Sequence, residues 1–558
     1  MKAARGFTLL TAVLGNERIP IHFFNLPPRI NTVMVKAFFS YLRQASSLLL
    51  GMLMLLSYWV WGYDGITFSD EVTYLQLGDL LWSGNSVVTD YHFSSRWAAF
   101  LFSGFFTQLF GFSDRYASLA TLAFYWATLY VVWRISPLSV RRWAVLFFIG
   151  NVYLFHFLTK VYPDGFLILW VTLVPAAAIY RSQRPLAAAC IMAAAFFIGF
   201  CTKETMVLLA PLPALLFFMD LRERKRLHFY YYFGGISLVL AFLYLGYYKW
   251  QFGDWLFRFK TIENGHYISA YSYYDKDLPT LYKRLTYEPI LDLIRRTYWL
   301  WLTLSIPGIY FGVKNKDEVG LAFGLCLTCL LVGFWWMTTS FQFYSPLPMN
   351  PRHLIILIPP LSVCIALGFR HWHNAIEWKM ALALLLAFAS GYCLLSGDWK
   401  VGLFYLLFAG LLFLKQERIL FAAMAAGLLF PVLFSVKYQH QLKNYPHFLE
   451  VLRKETSEAS NTSPLLTHEF IYFSREVLLE EPEVQSPIIS MAELDRLAQN
   501  PPDSLTLFIY GYYRHAYPAE QVYIDKVEQW LEKGYDLIYS EQSPWLSIRK
   551  YRRAMKAN

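Results

Sequence analysis

Apolar stretches of about twenty residues, long enough to cross the hydrocarbon core of a bilayer as helices, recur from Ala45 to about Val436. In hydrocarbon every backbone N–H and C=O must find its partner inside the protein, so a chain of this kind folds as a bundle of helices over that region. The segments fall near residues 45–63, 116–134, 143–162, 165–180, 186–201, 205–221, 229–249, 291–312, 319–337, 354–369, 380–396, 400–414 and 419–436, about thirteen spans of a mainly α, polytopic membrane protein. Only 16% of the 558 residues are charged, against about a quarter in soluble domains. The net charge of +10 does not point to nucleic acid, because the Lys and Arg residues sit in short clusters between apolar segments.

Those clusters orient the chain. Arg134, Arg141 and Arg142, then Arg181 and Arg184, then Arg222, Arg224, Lys225 and Arg226, then Lys314 and Lys316 all occupy alternate joints, which the positive-inside rule assigns to the cytoplasm. Residues 1–44 then form a cytoplasmic tail without a cleavable signal pattern, and Met34 is a candidate true start. Residues 45–436 form the membrane domain. WAAFLFSGFFTQLFGF, Trp97 to Phe112, is short for an upright span and reads as an outer-surface or re-entrant helix. The aromatic stretch from Trp250 to Pro289 reads as an ordered outer cover. All six cysteines lie in apolar segments and read as free thiols, the Cys326–Cys329 CxxC included.

From Lys437 the composition becomes that of a soluble domain, and residues 437–558 read as a small extracytoplasmic α/β unit. Ser504 to Tyr513 reads as a buried strand, DLIYSE and WLSIRKY as further strands, and Pro518 to Gly534 as a helix with Val522, Trp530 and Leu531 facing its core. Asn461 opens a formal glycosylation sequon.

The outer joints hold a different chemistry. They collect Asp70, Glu71, Asp164, Lys203, Glu204, Arg295, Arg296 and Arg352. A charge this close to hydrocarbon costs several kcal/mol unless it is paired or wetted. Each residue alone reads as an interfacial anchor or helix cap; together on one face they read as a site with carboxylate and cationic ends. In FSDEVTYLQLGDLLWSG, Phe68 to Gly84, Ser69 is a good N-cap, Asp70 and Glu71 suit the first helical turn, and Tyr74, Leu77 and Leu81 repeat at helical spacing. A short amphipathic helix on the membrane surface follows.

The order of these motifs resembles the integral-membrane glycosyltransferases of the GT-C fold, in the branch of protein O-mannosyltransferases and lipid A aminoarabinose transferases. Asp70, Glu71 and Tyr74 in SDEVTY resemble that branch's first outer-loop motif, and Asp164 in YPDGFLILWVTL its second acid. Lys203 in CTKET resembles its Thr-Lys pair, and Arg352 in NPRHLIILIPP its Pro-Arg-aromatic entry into a late span. His92 and Arg96 in YHFSSRW stand where the family has His-Lys-Pro-Pro, Glu204 replaces a Gly, and His353 replaces a Tyr.

The resemblance implies transfer of a sugar from a polyprenyl-phosphate donor to a hydroxyl of a lipid, polysaccharide or protein acceptor, on the outer face of a bacterial inner membrane. It makes Asp70 and Asp164 the catalytic carboxylates, with Glu71, Tyr74, His92, Arg96, Lys203, Glu204, Arg295, Arg296, Arg352 and His353 binding substrate. The Asp70–Glu71 pair offers only two hard ligands, so no cofactor is assigned and a divalent metal stays open. The rival is a transporter or lipid-linked saccharide flippase, which would carry its charges at mid-span in place of the joints.

Overall fold

The computed structural model describes residues 28–85, 88–265, 272–460, 463–479, 485 and 487–554, and the side chains of residues 28–44 are outside it. The expected tail up to residue 27 and the sequon at Asn461 fall outside the described residues; a helix runs through Met34, from Pro28 to Trp61.

The apolar segments are helices. Among the described residues eight have the length and hydropathy to cross a membrane, or nine when Val152–Leu158 and Pro163–Ile179, which meet at 119°, count as one bent span. Ala45–Trp61, Trp97–Phe110 and Trp399–Leu411 are apolar but shorter, so spanning-length helices do not match the expected thirteen one for one. The segment near 143–162 is not continuous: it breaks into Arg141–Ile149 and Val152–Leu158, because the Asn151 side chain accepts from the N–H groups of Tyr153 and Leu154 and starts a new helix. Packing is close elsewhere. A methyl group added at Gly308 would lie 1.9 Å from the carbonyl oxygen of Cys364, so only glycine lets helices Tyr298–Lys314 and Ile358–Trp372 meet backbone to backbone.

Charge separates the two ends of the bundle. At one end Arg181 pairs with Asp220 at 2.7 Å, Arg226 with Asp220 at 3.1 Å and Glu318 at 2.5 Å, Lys316 with Glu223 at 2.8 Å, and Arg142 with Glu417 at 2.5 Å. At the other end the joints carrying Asp64, Asp70, Lys160, Asp164, Lys203, Arg352 and Lys443 meet one another. The alternation along the chain thus becomes two chemically distinct ends. A single cysteine introduced as Arg224→Cys in a chain without its native cysteines is expected to resist an impermeant thiol reagent in intact cells and to react after permeabilisation; labelling in intact cells would reverse the orientation.

The C-terminal segment forms a five-stranded sheet of β1 (Leu465–Thr467), β2 (Ile488–Ser490), β3 (Ser504–Tyr510), β4 (Tyr535–Gln542) and β5 (Leu546–Arg553), in the order β2-β1-β3-β5-β4. β1 runs parallel to β2 and β3, and β5 antiparallel to β3 and β4. The strand expected to reach Tyr513 stops at Tyr510, after which the chain turns and Tyr513 begins a short helix. Helix Gln521–Gly534 buries Ile524, Val527 and Leu531, and Val522 is 56% exposed. The expected face was therefore wrong at Val522, since the spacing that shares a face with Leu531 runs through Val527 and Ile524.

The apolar interior has two parts. One fills the bundle; the other joins Phe68, Val72, Tyr74, Leu75, Ala99 and Phe100 to Phe448, Phe470, Leu507 and Tyr510 of the C-terminal segment. The segment after Lys437 is thus built into the site end of the bundle, and helix Glu417–Lys443 runs across the expected boundary without a break.

Candidate active site

Four side chains form an alternating string of charge at the site end. Asp164, in the first turn of helix Pro163–Ile179, is fully buried, and Lys203 Nζ lies 2.8 Å from each of its carboxylate oxygens. Arg352, at the start of Pro351–Leu354, places Nε 3.7 Å from Asp164 Oδ2 and Nη1 3.1 Å from Asp70 Oδ2. The order is Lys203, Asp164, Arg352, Asp70, so each inner charge faces two opposite ones. Arg352 also lies over the Tyr162 ring, 4.7 Å from its centroid. His353 is buried and its Nδ1 is 2.9 Å from the Pro348 carbonyl oxygen; with that nitrogen as donor, Nε2 faces Arg352 Nη2 at 3.4 Å as an acceptor. Burial pushes the Lys203 ammonium down to about 8 and Asp164 opposes the shift. Lys203 is therefore charged at neutral pH and loses its charge as pH rises through 8.

Asp70 differs from Asp164 in exposure. Its side chain is 36% exposed and Asp164 is sealed, so Asp70 is the acid that an incoming group can reach. Arg352 lines a cavity of about 480 Å³ shared with Tyr153, His156, Asn350, Ser435 and Gln439.

A second cluster adjoins the first through the Lys203–Glu204 peptide. Glu204 accepts from Arg96 Nε at 3.0 Å and Nη2 at 2.7 Å and pairs with the buried Arg258. Arg96 Nη1 donates to Tyr74 Oη at 2.8 Å, and Arg258 Nη1 donates to the His92 carbonyl at 2.6 Å. Burial pushes the Tyr74 hydroxyl up to about 12, with Arg96 pulling the other way, so it is protonated at neutral pH. Tyr74, Arg96 and Glu204 meet through their side chains, and His92 joins them through its backbone carbonyl. Arg258 was not singled out from sequence, although it lies in the aromatic stretch read as a cover; its helix, Phe257–Asn264, carries the charge inward.

Two expected binders lie elsewhere. Arg295 is 46% exposed and pairs with Glu288 at 3.2 Å and Tyr392 Oη at 2.5 Å. Arg296 lines a separate cavity of about 330 Å³ with Lys283, Arg284, Glu288 and Asp292. Asn350 borders both cavities. The adjacent pair thus reaches different partners, Arg295 the Glu288 carboxylate and the Tyr392 hydroxyl, Arg296 the cavity wall.

Glu71, next to Asp70, is tied into the chain that precedes its helix. It is buried, and its carboxylate accepts from the Thr67 N–H one turn back. Ser69 occupies the N-cap position without a side-chain cap bond, so Glu71 ties the helix start to the loop before it. Burial raises the Glu71 carboxyl above its usual value. The helix Asp70–Trp82 buries Val72, Tyr74, Leu75 and Gly78, a face offset from the expected Tyr74–Leu77–Leu81 stripe. Among the described residues no three His, Cys, Asp or Glu side chains converge as metal ligands.

No family model matches the chain, and no curated protein matches its sequence. Among solved structures, ArnT from Cupriavidus metallidurans bound to undecaprenyl phosphate aligns with a TM-score of 0.54 over 91% of this chain and 98% of its own, at 14% identity. The same protein in the apo state aligns with a TM-score of 0.52 over 90% and 97%, at 14% identity. The chain has the GT-C fold. The likeness covers nine-tenths of the chain, more than the helical bundle alone.

Proposed function

We propose that this protein is a glycosyltransferase that moves a sugar from a polyprenyl-phosphate donor to an acceptor hydroxyl at the extracytoplasmic end of the bundle. The observation that carries this reading is the Lys203–Asp164–Arg352–Asp70 string on a GT-C fold, with one carboxylate sealed and the other open. Attack by a hydroxyl on the anomeric carbon needs a base within hydrogen-bond reach, and Asp70 is the accessible carboxylate. As the new C–O bond forms, the anomeric carbon's bond to the phosphate oxygen breaks, the hydroxyl proton passes to Asp70, and the lipid phosphate departs with the electron pair. Arg352 faces the cavity with a fixed positive charge, suited to the phosphate's growing negative charge. Asp164, itself held by Lys203, faces Arg352 from behind and sets its direction.

The lipid tail has a matching surface. An apolar slot of about 310 Å³, lined by Phe196, Phe197, Phe200, Met206, Val207 and Tyr244, begins beside the Lys203–Glu204 joint. In the structural neighbour, ArnT is bound to undecaprenyl phosphate; a polyprenyl donor here rests on the slot and the cations. The acceptor is a lipid, polysaccharide or protein, and a bacterial inner membrane is the setting the reading calls for.

The decisive experiment supplies a radiolabelled polyprenyl-phosphate sugar to purified protein in vesicles with envelope extract as acceptor. Label is expected to move to acceptor, with Asp70→Asn lowering kcat by about 10²–10⁴ through loss of the base and leaving the donor KM within a few-fold. Unchanged transfer by Asp70→Asn, or movement of the donor across the bilayer without transfer, would defeat the proposal.

A further inference from the structure

The loop that delivers Asp70 is gripped at nearly every backbone oxygen. Lys160 Nζ donates to the Gly65 carbonyl, Lys443 Nζ to that of Ile66 at 2.9 Å, and Tyr517 Oη lies 2.7 Å from the Thr67 oxygen and 3.0 Å from that of Phe68. Such grips are uncommon on a loop that merely connects two helices, whose carbonyls ordinarily face water. Phe68 itself sits at φ +58°, in the left-handed region that a bulky residue enters only under constraint. Its ring fills a cage made by Tyr445, Phe448, Phe470, Tyr510 and Tyr512, with centroids 5.2–6.3 Å away. Gly65, at φ +76°, is pressed so close to Tyr445 that an added methyl would overlap the ring. Every ring of the cage, and Tyr517, comes from the C-terminal segment, and Asp70 follows Phe68 by two residues.

We propose that the C-terminal domain is a positioning device for the reaction centre: Phe68 is its plug, and Tyr517 holds the Thr67 and Phe68 carbonyls so that Asp70 stays aligned with Arg352. The inference rests on Asp70 being the base, as proposed above. Tyr517 reaches no reacting atom in this scheme. It acts through two peptide groups, and its ring is stacked on Phe470 at 4.6 Å, a contact that does not involve the hydroxyl. Removing only the hydroxyl therefore loosens the loop and leaves the sheet's core intact.

The test is Tyr517→Phe in the full-length protein, alone and combined with Asp70→Asn. Two readouts are taken: steady-state transfer, and amide hydrogen exchange over residues 64–72 in detergent. Tyr517→Phe is expected to lower kcat on the order of tenfold, because small misplacements of a catalytic group are costly, with the donor KM unchanged. It is expected to have no further effect on kcat in the Asp70→Asn background, and to speed exchange in the 64–72 peptides with exchange in β3 unchanged. An equal loss of kcat in both backgrounds would overturn the proposal, since Tyr517 would then act by another route. Exchange at 64–72 identical to wild type would overturn it as well. That second readout needs no catalysis, so a wild-type protein without transfer activity would refute the functional reading and still leave the grip of the domain on the loop measurable.

Discussion

Replacing Lys203 by methionine is expected to abolish transfer and to destabilise the protein by about 3–5 kcal/mol, the range for a buried charge left without its partner. Asp164 is fully buried, and without Lys203 its remaining cation is Arg352 Nε at 3.7 Å, already engaged by Asp70. The mirror substitution, Asp164→Asn, is expected to be milder. The Lys203 ammonium stands at about 8 with Asp164 present, so without the acid it falls further, sheds its proton at neutral pH and bonds the asparagine as a neutral amine. The expected cost is about 1–2 kcal/mol, with kcat reduced by about 10²–10³ because Arg352 loses one of the two acids that aim it. Thermal unfolding in detergent checks the asymmetry, and equal destabilisation by the two variants would contradict it. The same lysine predicts a pH limb: its charge is half lost at about 8, so the wild-type rate is expected to fall as pH rises through 8, and the Lys203→Arg variant, if active, should lack that fall. A pH–rate profile from 6 to 10 decides it.

The second large effect is expected at Asp64, which no motif marks. Asp64 receives both Lys160 and Lys443, the latter at 3.2 Å, and all three are buried. Asp64→Asn leaves two buried ammonium groups facing each other at the root of the Asp70 loop, and is expected to cost about 3–5 kcal/mol and to release the C-terminal segment from the bundle. Limited proteolysis after Lys437 checks the release, and the double variant Asp64→Asn with Lys443→Met should recover part of the stability. Burial alone pushes the Asp64 carboxyl up, but Lys160 and Lys443 outweigh it and hold the group below the usual carboxylate range. Since the unfolded chain then binds the proton more readily than the folded one, this stabilisation is complete above the ordinary carboxylate value. It is lost as pH falls through the lower folded one. Acid unfolding is expected to be cooperative in wild type and shifted to higher pH in Lys443→Met.

The sequence made much of the site legible, and its failures have specific causes. Asp70, Asp164, Lys203 and Arg352 stand out because a charge at a membrane joint is costly and must have a reason to be there. Asp64, Lys160 and Lys443 carry no such signal: Lys160 falls inside the apolar segment near 143–162, Lys443 inside the C-terminal unit, and a single charge just past an apolar segment, as at Asp64, has many ordinary explanations. Arg258 was hidden in a stretch whose aromatic content drew the attention. Arg295 and Arg296 misled in the opposite sense: neighbours along a helix do not share a direction, and only their contacts in the fold show where they part. The break at Asn151 and the face of helix Gln521–Gly534 escaped because hydropathy reports which segments avoid water and says little about where a hydrogen-bonding side chain restarts a helix.

By itself the sequence determined that this chain spans a membrane repeatedly, which joints share an end, and that the other end collects acids and bases. Those properties follow from the transfer energy of side chains into hydrocarbon, which acts on each segment independently of its neighbours. Only the tertiary structure decided which charge faces which, that Asp70 is open and Asp164 sealed, and that the C-terminal domain grips the loop before Asp70. Pairing, burial and grip depend on groups separated by up to 450 residues in the chain; they exist only once packing has brought those groups within a few ångströms, the range over which hydrogen bonds and desolvated charges act.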